Sequence, residues 1–193
     1  MRSPISRTIA AMNFCSNCAH PVEHRIPDGD NRPRYMCPGC QAIHYQNPRI
    51  VVGTVCTWQE RILLCKRAIE PRYGRWTLPA GFMELGETMA EGAQRETSEE
   101  AGAEIELDGL YSAIDVINAE QVHVFYRARM LSETLDPGIE SLEARLFDEH
   151  EIPWDELAFR TVTQTLRWFV ADRARGAYEL HTGEFRLPPR SAT

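Results

Sequence analysis

Large aliphatic residues are sparse over the first 46 positions of the chain, which are rich in Pro, Gly, Asn, Cys and Arg, and the texture changes at Arg49. From there, Ile50-Val51-Val52-Gly53-Thr54-Val55-Cys56 reads as a buried strand and Arg61-Ile62-Leu63-Leu64-Cys65 as its hairpin partner. A Gly/Pro-rich segment from Pro71 to Gly86 follows. Thr88 and Glu91 then have the spacing of a capping box, and Gly102 stands where a glycine closes a helix. Strands are predicted around Ile105 to Ile117 and Val122 to Leu131. The turn Asp136-Pro137-Gly138 leads to a short strand near Ala144 to Phe147. Leu157, Val162, Leu166, Phe169 and Val170 recur at helical spacing, which predicts an amphipathic helix. Strands outnumber helices, so an α+β fold is expected, a mixed sheet with helices on its faces.

At 193 residues, 43% of them hydrophobic, the chain can bury one ordinary core and carry one small accessory module. No apolar run approaches the length of a bilayer span. A net charge of −7 weighs against a dedicated nucleic-acid binder, since phosphate backbones select basic surfaces. Between Met1 and Met12 there are arginines but no apolar run of signal-peptide length, and a lack of acidic residues that faintly resembles a transit peptide. Met12 is an alternative start. Six cysteines do not make a disulfide-dense scaffold, so a cytoplasmic protein is expected.

Four of those cysteines form two C-x-x-C pairs, Cys15/Cys18 and Cys37/Cys40, separated by 18 residues. This is the spacing of a zinc site, in which two knuckles give two thiolates each to one tetrahedral ion. Four thiolates leave no open position, so the zinc is expected to be structural. Free thiols or a redox pair are the alternatives. Cys56 and Cys65 lie in strand-like runs and read as core. His20, His24 and His44 fall near the module, as surface residues or neighbours of the ligands.

The second chemical signal is acidic. On a helix, Glu96, Glu99 and Glu100 fall within an arc of roughly 100°. Carboxylates that close repel one another, and a shared divalent cation relieves the repulsion. The carbonyl of Ala80 could complete an oxygen-only shell suited to Mg²⁺ or Mn²⁺. A solvated acidic face is the alternative reading of these residues alone.

The wider spacing decides between them. Gly81, Glu87, Arg95, Glu96, Glu99, Glu100 and Gly102 occupy the seven fixed positions of G-x5-E-x7-R-E-U-x-E-E-x-G-U, and the chain closely resembles the Nudix hydrolases. The two U positions, usually bulky aliphatics, hold Thr97 and Ala103. The resemblance covers roughly Arg49 to Arg175. It implies an α/β/α sandwich around a mixed sheet and hydrolysis of a nucleoside diphosphate linked to another group. It also implies metal binding by Glu96, Glu99, Glu100 and the Ala80 carbonyl, orientation of the carboxylates by Arg95, and a loop brace or second metal ligand at Glu87. A further carboxylate, as ligand or general base, is expected from Glu140 in preference to Glu143.

An N-terminal four-cysteine ribbon on such a domain resembles two groups. The NADH pyrophosphatases carry Ser-Gln-Pro-Trp-Pro-Phe-Pro after the box, where this chain has Tyr111-Ser112-Ala113-Ile114-Asp115-Val116-Ile117. A compact zinc-ribbon group acting on ADP-ribose and FAD is the better match, through Trp76 to Glu84 and Glu151-Ile152-Pro153-Trp154. ADP-ribose or FAD is therefore the expected substrate. NADH, NAD-capped RNA, or a non-catalytic nucleotide sensor are the alternatives. Lys66, Arg67 and Arg72 are candidate cations for the diphosphate, and Tyr73, Trp76 and Phe82 candidate stacking rings. Trp154 and Trp168 read as helix-packing residues. A homodimer is expected by analogy with ribbon-bearing relatives, with a small nucleotide as the main partner. The expected layout is a flexible extension at 1–12, the ribbon at 13–47, the hydrolase domain at 48–176 and a tail at 177–193.

Overall fold

A computed structural model describes residues 12–186. Nearly all of the expected extension at 1–12 lies outside the described residues. The chain divides into two compact units, one running up to Pro48 and taking in Asn118–Glu120, the other comprising Arg49–Ile117 and the chain from Gln121 onward.

In the smaller unit, β1 (Glu23–Arg25), β2 (Arg34–Met36) and β3 (Ile43–His44) form an antiparallel sheet in that order. Each C-x-x-C pair sits on a tight turn. The amide of Ala19 donates to the carbonyl of Cys15, and that of Gln41 to Cys37, both at 2.9 Å. Ala19 and Gln41, each following the second cysteine of its pair, take matching left-handed conformations with φ of 59° and 61°. The two knuckles are thus built alike.

The larger unit is a mixed sheet between two helices. Its strands are β4 (Arg49–Trp58), β5 (Arg61–Arg67), β6 (Trp76–Thr77), β7 (Ala80–Phe82), β8 (Ile105–Val116), β9 (Gln121–Met130), β10 (Ser141–Phe147) and β11 (His181–Phe185). The main order is β10-β5-β4-β9-β8-β11, with β6 on β5 and β7 on β4. The β4–β9 and β8–β11 pairs are parallel and the others antiparallel. Alternation along β5 divides the core. Ile62 and Leu64 pack with Val55, Phe125 and helix residues Val162, Leu166 and Phe169 on one face, while Leu63 and Cys65 pack with Cys56, Ala101 and Ala128 on the other.

Helix α1 (Met89–Ala101) has both halves of the capping box, the Glu91 amide donating to Thr88 Oγ1 at 3.2 Å and the Thr88 amide to Glu91 Oε2 at 2.7 Å. Gly102, at φ 64°, ends it. The departure from a bulky aliphatic at Thr97 has a physical reason. Thr97 Oγ1 donates to the Ala93 carbonyl and sits 2.8 Å from Thr54 Oγ1, so the fully buried Thr54 hydroxyl must donate to Thr97.

Helix α2 (Arg160–Arg175) buries Thr161, Val162, Thr165, Leu166, Phe169 and Asp172. Leu157, expected on this helix, precedes it, because its backbone bridges to Trp76 and the next amide, of Ala158, donates to the Trp76 carbonyl.

The stretch from 177 is not simply a tail. β11 adds to the sheet edge in parallel with β8, His181 opposite Ser112 through Phe185 opposite Val116. Asp172, 1% exposed, fastens it: Tyr111 Oη, Arg175 Nη2 and His181 Nε2 all donate to its carboxylate, at 3.0, 2.5 and 2.8 Å. The His181 ring lies flat on Trp168, with centroids 4.8 Å apart.

Candidate active site

The segment between β6 and α1, which includes β7, carries the site. β7 pairs with β4 (Gly53 opposite Ala80, Val52 opposite Gly81), which brings the loop against the start of α1. A Cβ on Gly81 would lie 2.3 Å from Glu96 Oε2, closer than any real contact, so the Glu96 carboxylate occupies the space that only glycine leaves.

Arg95 organises the acidic residues. Its Nε and Nη2 grip Glu87 through both carboxylate oxygens, at 3.0 and 2.8 Å. Nη1 donates to Glu96 Oε1 at 2.7 Å and to Glu99 Oε2 at 3.0 Å, and Nη2 also reaches the Phe82 carbonyl at 3.2 Å. All five guanidinium N–H groups are used. Glu87 Oε1 further accepts from the Glu84 amide at 2.7 Å, so Glu87 ties the loop to the helix. The Arg95 bonds, then that amide, hold the Glu87 carboxyl down at about 2.

Glu100 is 5% exposed and accepts from the Ala80 amide at 3.0 Å through Oε2. Ala80, expected to contribute through its carbonyl, is thus tied to the cluster by its N–H. Burial above all, with the charges of Glu96 and Glu140, pushes the Glu100 carboxyl up to about 8 against the pull of that amide. Burial also raises Glu96, Arg95 opposing and Glu99 and Glu140 adding to the rise. Such a cluster is short of positive charge, which suits a divalent cation. One oxygen of each helix carboxylate lies outside the bonds just described: Glu96 Oε2, Glu99 Oε1 and Glu100 Oε1.

Glu140 comes close enough to act on Glu96, Glu100 and Arg67 by charge. The turn before Glu140 is seated on the end of α1, a feature that sequence reading took only as a turn. The Asp136 amide donates to the Ala101 carbonyl at 2.8 Å, and a Cβ on Gly138 would stand 2.0 Å from the Glu99 carbonyl oxygen.

The candidate substrate residues divide. Tyr73 and Phe82 are 58% and 45% exposed, and Arg72 is exposed too. Trp76 packs in the core, 6% exposed, its ring edge-on to Phe147 with centroids 4.8 Å apart and Lys66 Nζ 5.6 Å from its centre. Its pairing with Lys66 on β5 turns it inward. Arg67 is buried too. It is 9% exposed, its Nε donates to the Pro71 carbonyl at 2.9 Å, and the charges of Glu100 and Glu140 offset part of its burial. Its charge bears on the carboxylates Glu100 and Glu140.

The cysteine cluster is a separate candidate centre. The four sulfurs lie within 4.8 Å of one another, with Cys15–Cys40 at 3.6 Å and Cys18–Cys37 at 3.4 Å. Tetrahedral Zn–S bonds of about 2.3 Å place sulfurs about 3.8 Å apart, so the donor set fits. His44 Nε2 stands 3.2 Å from Cys15 Sγ, beside the ligands.

Comparison with known proteins covers both units. Residues 13–46 match the family model described as Nudix N-terminal, and residues 47–169 the NUDIX domain model. A crystal structure of a NUDIX hydrolase from Nitrosomonas europaea is 49% identical, covering 90% of this chain and 99% of that one with a TM-score of 0.88. An ADP-ribose pyrophosphatase of Methanocaldococcus jannaschii is 30% identical over 64% of this chain and 76% of its own length. The mitochondrial NAD(P)H pyrophosphatase NUDT13 of Mus musculus is 29% identical over 93% of this chain, which spans 47% of that longer protein.

Proposed function

The chain belongs to the Nudix hydrolase family, whose members act on nucleoside diphosphate derivatives, and on that footing we propose that it hydrolyses ADP-ribose or FAD with a divalent cation, releasing AMP with ribose 5-phosphate or FMN. The observation that carries a catalytic reading is the carboxylate cluster on Arg95: a nucleotide sensor has no use for it. Glu96, Glu99 and Glu100 would hold Mg²⁺ or Mn²⁺, and Arg95 and the Ala80 amide orient them. When bound, the cation neutralises charge building up on the diphosphate. Glu140, on its anchored turn, is the proposed extra carboxylate, completing the shell or taking the proton of the attacking water. Phe82 and Tyr73 are exposed enough to stack on a ring, and Arg72 and Lys66 to meet phosphate.

Two observations support the choice of substrate: residues 111–117 lack the motif of the NADH pyrophosphatases, and the Methanocaldococcus relative is named an ADP-ribose pyrophosphatase. A second reading, hydrolysis of NADH or NAD-capped RNA, is favoured by the match to NUDT13 across both units. We extend the proposal to a structural zinc in the four-cysteine cluster, a homodimer and a cytoplasmic location. Among the described residues no helix is long and apolar enough to cross a membrane.

The test is a mass-spectrometric panel of ADP-ribose, FAD, NADH, NAD⁺ and a capped RNA with Mg²⁺ and with Mn²⁺. AMP with ribose 5-phosphate or FMN is the expected product pair. Faster cleavage of NADH moves the reading to the second, and nucleotide binding without turnover on any substrate overturns both.

A further inference from the structure

The sheet face that carries α2 extends beyond the first turn of that helix. There, Arg49 of β4 lies opposite Gln121 of β9, Gln121 opposite Val116 of β8, and Val116 opposite Phe185 of β11. Alternation puts these residues on one face. Gln121 shares the side of Phe125, Val116 that of Ser112 (bonded to Thr165 of α2), and Phe185 that of Gly183, which faces Trp168 of α2. Phe82, next to Val51 on β7, shares the side of Ala80, which packs on the same core. Three strand spacings separate the Arg49 and Phe185 backbones, about 14 Å.

Both ends of this shelf hold an arginine laid on a phenylalanine. Arg49 Cζ is 4.4 Å from the centre of Phe82, and Arg160 Cζ 4.4 Å from that of Phe185. Between them runs a short relay. His123 Nε2 is 2.9 Å from Gln121 Oε1, and His123 Nδ1 is 3.0 Å from Thr161 Oγ1. An amide oxygen only accepts, so Nε2 carries the hydrogen, and Nδ1 of the neutral ring accepts from the Thr161 hydroxyl. The Gln121 carboxamide is therefore held with its oxygen toward His123, leaving its two N–H groups and the second lone pair of its oxygen to a ligand. The Phe82 end adjoins the carboxylates, through the Phe82 carbonyl on Arg95 and the contact of Gly81 with Glu96.

We propose that this shelf is the base-recognition subsite and that Gln121 selects adenine, with His123 and Thr161 as the residues that position it. The inference rests on the proposed hydrolysis of an adenosine diphosphate compound. A carboxamide matches adenine because N7 accepts from its N–H while the N6 amino group donates to its oxygen. Guanine presents O6 beside N7, two acceptors, and sets O6 against the amide oxygen. The phenylalanine rings supply stacking surface, and Arg49 supplies a cation on the side of the carboxylates.

The test compares kcat/KM on ADP-glucose and GDP-glucose, which differ only in the base, and calorimetric binding of AMP and GMP, for the whole protein and for Gln121→Ala, Thr161→Val and Thr161→Ser. The parent is expected to favour adenine about tenfold or more, a factor within reach of one good carboxamide pair. Gln121→Ala is expected to bring the ratio within about threefold of unity. Thr161→Val should shift it the same way and Thr161→Ser restore it, a pattern that a purely structural hydroxyl would not produce. An adenine-to-guanine ratio untouched by Gln121→Ala overturns the assignment. If neither sugar nucleotide is cleaved, the hydrolase reading is judged by the ADP-ribose and FAD panel instead. The AMP and GMP titrations then still judge the shelf, and equal binding of the two by the parent overturns it.

Discussion

Replacing Glu100 with Gln is expected to stabilise the cation-free protein while destroying its activity. The carboxyl is 5% exposed, and burial with the charges of Glu96 and Glu140 lifts it from an ordinary 4.5 to about 8. Between those values the unfolded chain has released this proton and the folded chain has kept it. Folding therefore takes up a proton, and stability falls as pH rises, by about 1.4 kcal/mol per unit. The loss reaches about 3 kcal/mol at pH 7, two and a half units above the ordinary value. Gln keeps the volume and the oxygen that accepts from the Ala80 amide but has no proton to lose. The gain from Glu100→Gln should thus be near zero at pH 4.5 and grow with pH. For a chain of this size it amounts to roughly 6–12 °C of Tm at pH 7. All four tryptophans, Trp58, Trp76, Trp154 and Trp168, belong to the larger unit, so their fluorescence during urea unfolding reports on it directly. Divalent cations should be removed by dialysis rather than by a chelator, which would also attack the cysteine cluster. The same substitution should lower kcat by at least about a hundredfold, since it removes one of the three proposed cation ligands. Stability curves of parent and variant that run parallel from pH 5 to 8 would refute the reasoning.

Three further outcomes follow from the packing. Gly81→Ala drives a methyl to 2.3 Å from Glu96 Oε2, so kcat should fall about a hundredfold with an unchanged circular dichroism spectrum; near-normal turnover would count against the role of Glu96. Trp76→Phe should cost roughly 1–3 kcal/mol in urea unfolding and leave KM unaltered, because the ring packs on Phe147 and not on substrate. Asp172→Ala strands the Tyr111 hydroxyl and uncouples His181, so about 3 kcal/mol of stability should be lost. Amide exchange along His181–Phe185 should accelerate more than in β9, and uniform acceleration would deny Asp172 its part in fastening that strand.

The legible parts of this molecule are those whose cause is local. The capping box at Thr88 and Glu91 involves residues three apart, the C-x-x-C knuckles close within a few residues, and the three helix carboxylates share a face by helical geometry alone. The alternation of Ile62, Leu63 and Leu64 settles two faces of one strand wherever that strand lies. The burial of Trp76 and Arg67 is hidden from the sequence for the opposite reason. An exposed ring and a core ring look alike in sequence, and what buries these two is the pairing of β6 with β5 and the approach of Phe147 and Phe159 from distant segments.

The sequence by itself determined that the chain carries a four-cysteine pattern and a Nudix box, because residue spacing and helical phase are properties of neighbouring residues. Tertiary structure alone decided which oxygens Arg95 takes, that the Ala80 amide donates to Glu100, that the charge of Glu140 bears on Glu96 and Glu100, and that His181–Phe185 completes the sheet edge. Each of these depends on segments far apart in the chain being brought within a few ångströms. Charge, burial and hydrogen-bond direction act over that distance in space, whatever the separation in sequence.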